Sequence, residues 1–166
     1  AELKAVELPP FVHACRQGIE TLMTAHVLYR ALDPEFLATL SERIVTGLLR
    51  QDLGYDGVGF SDDMEMKAIG ASYGDEEAAG LAVRAGIEVL LFCHELPRAM
   101  RVHEFLCTEA ERDPAVRARV EESYRGITQL KNRRLRAFTG GDETEIAKWL
   151  ALLDHRRIVE EIQGSL

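Results

Sequence analysis

Three short apolar runs, Thr21 to Val27, Gly57 to Asp62 and Val89 to His94, alternate with helical patterns, and this alternation restricts the chain to an α/β architecture. Glu7 to Gln17 reads as a helix entered through Pro9-Pro10 and stopped by Gly18. Ser41 is a suitable N-cap for a helix over Glu42 to Gln51, in which Ile44, Val45, Leu48 and Leu49 form one apolar stripe ahead of Gly54. A mobile-looking stretch through Gly70 to Gly74 follows the second run. Asp75 then caps a helix over Glu76 to Ala85 that ends at Gly86. Everything after Glu95 reads as helical. Leu96 to Arg112 is one helix, and Asp113-Pro114 opens a second whose packed face is Val116, Val120, Tyr124 and Ile127. Beyond Gly140-Gly141, Asp142 and Glu145 resemble a capping box ahead of Ile146, Trp149, Leu150 and Leu153.

Three parallel strands are too few to stand alone, because parallel strands need both faces covered and an open sheet of three leaves two unpaired edges. The expectation is a piece of a larger barrel. In such barrels the functional groups sit where strands end and the next loop begins, and His26, Asp62 and His94 all occupy that place.

The second run is the most informative of the three. Gly57-Val-Gly-Phe-Ser-Asp-Asp-Met-Glu-Met66 is an apolar strand ending in two carboxylates, which near a core must be paired, hydrogen-bonded or catalytic. Side chains alternate along a strand, so Val58, Phe60 and Asp62 share one face and Gly59, Ser61 and Asp63 the other. Only one acid can therefore serve a given site. A salt-bridged core acid is the structural alternative for Asp62.

Composition removes several function classes. With 46% hydrophobic residues in 166, the chain can bury one sizeable core. No apolar run approaches the roughly 20 residues that cross a bilayer, and the first residues lack a signal-peptide layout, so a soluble compartment and no membrane partner are expected. The net charge of -8 argues against nucleic acid. The tightest basic cluster, Lys131 to Arg136, closes a helix, where cations offset the dipole. Cys15, Cys93 and Cys107 lie in apolar segments and are expected as buried, reduced thiols. His94 and Glu95 point apart on a strand with no third ligand in view, so no metal is expected.

Leu22-Met-Thr-Ala-His26, Leu53-Gly-Tyr-Asp-Gly-Val58 and Phe60-Ser-Asp-Asp-Met-Glu-Met66 with Lys67-Ala-Ile69 resemble, in order and spacing, the second half of the bacterial β-N-acetylglucosaminidases (β-N-acetylhexosaminidases) of family 3 of the glycoside hydrolases. The resemblance runs from about Glu2 to Lys131. It implies a partial (β/α)8 barrel, with strands 6 to 8 and their helices in residues 1–138, and a C-terminal helical extension over 139–166.

The resemblance also implies roles. Asp62, the first acid after Ser61, would be the nucleophile of a retaining hydrolysis. Asp63 would support the loop. His26 would line or orient a polar group near the sugar, with a satisfied structural histidine and direct proton transfer as the alternatives. Met64 and Met66 are either an apolar wall under the sugar or ordinary packing. The family's acid/base group is a histidine supported by an aspartate on a flexible loop after the fifth strand, and neither that loop nor the Lys-His-Phe-Pro-Gly-His-Gly type of motif that precedes it is among these residues. The implied activity is release of terminal β-linked N-acetylglucosamine from cell-wall-derived glycans, in the cytoplasm and without a cofactor, by a parent of which this chain alone is nearly inert. Self-association or pairing with the missing half-barrel would complete it. The alternatives are a phosphorylase of the same family and a non-catalytic half-barrel serving in assembly or binding.

Overall fold

The computed structural model of the protein describes residues 3–136, 142, 144, 146, 148 and 153–164. The chain divides into two compact units, Ala1–Arg133 and Arg134–Leu166. In the first unit, a helical turn at Leu3–Glu7 leads to α1 (Pro9–Arg16), β1 (Thr21–Met23), a 3₁₀ turn at Ala38–Leu40 and α2 (Arg43–Asp52). Then follow β2 (Val58–Asp63), a single helical turn at Lys67–Gly70, α3 (Asp75–Ala85), β3 (Val89–Leu91), α4 (Leu96–Arg112) and α5 (Pro114–Leu135). In the second unit the described helix is α6 (Leu153–Gln163). The expected boundary at 138/139, the Gly140-Gly141 break, Glu145, Trp149 and Leu150 lie outside the described residues. Asp142 Oδ1 accepts from Thr144 N at 2.9 Å. Among the described residues no helix is long and apolar enough to cross a membrane.

The sheet is parallel, in the order β1-β2-β3, with Thr21 opposite Val58, Met23 opposite Phe60 and Phe60 opposite Val89. The central strand is largely buried, whereas the two edge strands are not: Thr21 and Met23 are exposed, and all of β3 is half-buried. The core lies on the helix side and is built from Leu40, Val45, Met64, Ile69 and Ile87 against the alanine face of α3, whose small side chains let its neighbours approach closely. Gly86 closes α3 at φ +114, and a Cβ there would meet Thr46 Oγ1 at 3.0 Å. At the other end of the sheet, Arg50 of α2 donates to Gly57 O at 3.1 Å and pairs with Glu88, whose Oε2 accepts from Gly59 N at 2.7 Å. This ion pair ties α2 to both β2 and the start of β3.

Several expectations are corrected. β1 ends at Met23 rather than Val27: Thr24 N still donates to Phe60 O, but Val27 N turns back onto Ala25 O, which carries His26 past the strand. β3 ends at Leu91 rather than His94, because the amides of Cys93, His94 and Glu95 bond to carboxylates of the β2 loop instead of a strand. Asp75 does not cap α3. Gly74 holds that position, and the Asp75 carboxylate takes Arg98 Nε at 2.8 Å. The stretch Gly70 to Gly74 is held in place, with Ser72 N and Tyr73 N both donating to Ile69 O. α2 is wound with wide i→i+5 bonding along its length, Arg43–Asp52, a π-helix that closes on Leu53 N to Leu48 O. The three thiols are free as expected but not buried: Cys93 and Cys107 are exposed and Cys15 half-buried. The α5 face is packed only in part. Val116 is buried, but Val120 and Tyr124 are exposed beside an apolar groove of about 620 Å³ that also takes in Leu90, Phe92, Val102 and Leu106.

Candidate active site

The site forms at the carboxyl end of β2, where the strand delivers two acids in succession and pleating sends them to opposite faces. Asp62 is half-buried on the open face of the sheet, and its Oδ1 accepts from the amide of Asp63 at 2.8 Å. Oδ2 is the oxygen not used by that bond. Asp63 is turned the other way. Its Oδ1 accepts from Glu65 N at 3.1 Å and from Cys93 N at 3.3 Å, and its Oδ2 lies 3.1 Å from His94 Nδ1. Burial alone would raise the pKa of Asp63. The two backbone amides, the His94 ring and the Cys93 thiol outweigh it and hold the carboxyl below the usual range.

Beside them lies an acid whose role could not be read from the sequence. The Glu65 side chain is only 3% exposed, accepts from His94 N at 2.6 Å and Glu95 N at 3.0 Å, and has Arg98 Nη1 at 3.5 Å. Arg98 in turn holds Asp75 at 2.5 Å. This chain of charges, Glu65-Arg98-Asp75, straps the loop after β3 and the starts of α3 and α4 to the end of β2. The only sequence signal was a glutamate set between two methionines directly after a strand.

The structure also corrects the view that His94 has no convergent neighbours. Asp63, Glu65 and His94 place one ligand-type atom each within 4.8 Å of one another. A cation could be held there, but each carboxylate already accepts from two backbone amides and Glu65 also has Arg98 at 3.5 Å, so the arrangement reads as a loop latch. His94 itself is 74% exposed.

His26 is only 8% exposed, and both ring nitrogens meet protein atoms: Nδ1 lies 2.9 Å from Thr39 Oγ1 and Nε2 3.1 Å from Asp63 O. Thr39, fully buried in the 3₁₀ turn, continues to Thr24 Oγ1 at 2.9 Å. That turn is organised by buried Asp33, whose Oδ2 accepts from Ser41 Oγ at 2.7 Å while its Oδ1 accepts from Glu35 N and Phe36 N. Ser41 Oγ meanwhile accepts from Ile44 N, the expected capping bond of α2. Met64 and Met66 part company. Met64 is 1% exposed and sits in the core, so of its two readings the structure favours packing, whereas Met66 is 42% exposed at the same end of β2.

The sequence profile of the family described as "Glycosyl hydrolase family 3 N terminal domain" matches residues 1–130. The chain belongs to glycosyl hydrolase family 3. Among curated relatives, a beta-hexosaminidase of Neisseria meningitidis serogroup C is 37% identical over 94 residues, covering 57% of this chain and 26% of the relative. A beta-hexosaminidase of Thioalkalivibrio sulfidiphilus is 34% identical over 124 residues, covering 74% and 35%. Among solved structures, the family 3 β-N-acetylglucosaminidase of Paenibacillus sp. str. FPU-7 superposes with a TM-score of 0.80 at 38% identity, over 84% of this chain and 27% of that one. The β-N-acetylglucosaminidase of Thermotoga maritima superposes at 0.71 and 34%, over 77% and 28%. The chain thus spans about a quarter to a third of the length of these relatives, and its three-stranded sheet is a partial (β/α)8 barrel. A β-glucoside phosphorylase at 22% identity and a TM-score of 0.66 shares the fold alone.

Proposed function

We propose that this family 3 chain supplies the nucleophile-bearing part of a retaining β-N-acetylhexosaminidase acting on terminal β-linked N-acetylglucosamine in cell-wall-derived glycans. The observation that carries the reading is Asp62: a half-buried carboxylate at the carboxyl end of a parallel strand, with one oxygen anchored by the next amide. In a barrel of this kind the carboxyl ends of the strands form the substrate's side. Asp62 Oδ2 forms a bond to the anomeric carbon as the glycosidic C–O bond breaks and the leaving oxygen takes a proton from an acid. Water, losing its proton to that same group, then displaces Asp62 with net retention.

The acid/base group comes from outside these residues. His26 has both nitrogens engaged with protein atoms, and the family's Lys-His and Gly-His-Gly type of motif does not occur in this sequence. Met66, exposed at the same end of β2, would meet an apolar face of the sugar. The half-covered sheet edges and the apolar groove beside β3 fit a chain that works with barrel strands supplied by a second copy or by the complementary part of a barrel. A general acid contributes about 10²–10⁴-fold, so the purified chain alone turns over an aryl β-N-acetylglucosaminide at a small fraction of the rate of full-length relatives. Turnover at their rate, abolished by Asp62→Ala, would contradict this division of labour.

A further inference from the structure

We infer that His26 is a positioning residue for Asp62, holding the peptide that aims the nucleophilic carboxylate rather than touching the sugar. The inference rests on the reading of Asp62 as nucleophile and says how this chain fixes it. Asp62 Oδ1 is anchored by the amide of residue 63, so the direction of Oδ2 depends on where the Asp63 backbone sits. That backbone is held from both sides. Toward β3, the next amide, Met64 N, donates to Leu91 O at 2.8 Å. Toward β1, Asp63 O meets His26 Nε2 at 3.1 Å.

A carbonyl oxygen only accepts, so Nε2 must carry the proton. Nδ1 of the neutral ring then accepts from the Thr39 hydroxyl, which accepts from Thr24 Oγ–H. In the charged ring the outer bonds reverse: Nδ1–H donates to Thr39, Thr39 to Thr24, and Thr24 to Phe60 O at 3.3 Å. In both states Nε2–H still points at Asp63 O. The network therefore ends on the Asp63 carbonyl in both states and reaches the Phe60 carbonyl as well when the ring is charged, and these two β2 carbonyls flank Asp62. With its nitrogens spent on Thr39 and Asp63 and its ring almost wholly covered, His26 offers nothing to a substrate. Nucleophilic attack needs the reacting oxygen within roughly 3–3.5 Å of its target in the right direction, so a frame that fixes residue 63 acts on rate rather than on binding.

The test uses the full chain labelled with ¹⁵N. Long-range ¹H–¹⁵N spectra of the His26 ring, in its neutral form, should show the proton on Nε2. The Asp63 amide shift should follow the ionisation of Asp62 and lose that dependence in Asp62→Asn. In His26→Phe the Asp63 amide should uncouple from Asp62 and exchange about five- to tenfold faster, the factor one neutral hydrogen bond is worth, while the Met64 amide stays protected. His26→Gln, which restores a donor, should recover the coupling. A neutral ring protonated on Nδ1, or an Asp63 amide that still follows Asp62 in His26→Phe, overturns the inference. If His26→Phe unfolds the strand and Met64 loses protection, the ring spectrum of the unsubstituted chain and the recovery in His26→Gln still decide. All of these signals are independent of sugar chemistry. A failed nucleophile assignment would instead show as a sugar adduct on another residue.

Discussion

Gly57→Ala tests how closely the chain is drawn together where β2 begins. Gly57 has no positive φ, so backbone conformation does not demand glycine there. Space does. A Cβ at this position would lie 2.6 Å from Glu20 O, 2.7 Å from the Tyr55 hydroxyl and 2.8 Å from its Cε2. None of these can yield cheaply: Glu20 O accepts from Val58 N at 2.9 Å, beside the β1–β2 ladder, and the buried Tyr55 ring is pinned by its bond to Val58 O, also 2.9 Å. Relief means losing one of these bonds, about 1 kcal/mol, together with overpacking at about 1–3 kcal/mol, so the substitution should cost about 2–4 kcal/mol. With an m-value of about 1.5 kcal/mol/M, the urea midpoint should fall by about 1.3–2.7 M at unchanged slope. Gly126→Ala is the control, because it lies inside α5 with nothing within 4 Å of its Cβ and should stabilise by about 1 kcal/mol. A Gly57→Ala midpoint within about 0.3 M of the parent chain's, where a clash of this size should move it by more than 1 M, would refute the packing described here.

Acid should destabilise the fold through three aspartates: Asp33, held down by the Ser41 hydroxyl and two amides; Asp63, by its amides and His94; and Asp75, by Arg98. Their folded pKa values lie below the ordinary 3.8. Their stabilisation is therefore complete above that value and lost as pH falls through the lower folded values, and a thermal midpoint that stays level from pH 5 to pH 2 would contradict it. Glu65→Gln turns an amide NH₂ toward backbone donors and Arg98, and should cost about 2–3 kcal/mol and speed hydrogen exchange at His94 and Glu95; unchanged exchange there would rule out the loop strap. Light scattering over a wide concentration range should show self-association through the open sheet edges, and a strictly monomeric species with a well-protected β1 would show that those edges need no partner.

The strand order and the placement of Asp62 were legible because each strand is a short apolar run and pleating alone separates Asp62 from Asp63. The family was legible because its motifs keep their order. Strand ends were not, because they are set by side-chain capture across the fold: Asp63 and Glu65 take the amides of Cys93, His94 and Glu95, some 30 residues on. Capture of this kind has no local signature. The His26–Thr39 contact was hidden similarly, since it depends on Asp33 folding the intervening loop into a 3₁₀ turn. Cys93 misled because apolar neighbours imply burial only while a strand continues, and it lies past the end of β3, whereas Cys15 in α1 and Cys107 in α4 lie on helices, where apolar sequence neighbours point to different sides.

The central claim is that Asp62 is the nucleophile, and peptide mapping of a trapped intermediate tests it most directly. A fluorinated N-acetylglucosaminide with a dinitrophenyl leaving group departs without help from a general acid, so trapping isolates the first step. With the complementary part of the barrel supplied, mass spectrometry should find the glycosyl adduct on Asp62, lost in Asp62→Gly and retained in Asp63→Asn. An adduct on Asp63, or labelling undiminished in Asp62→Gly, would contradict the account.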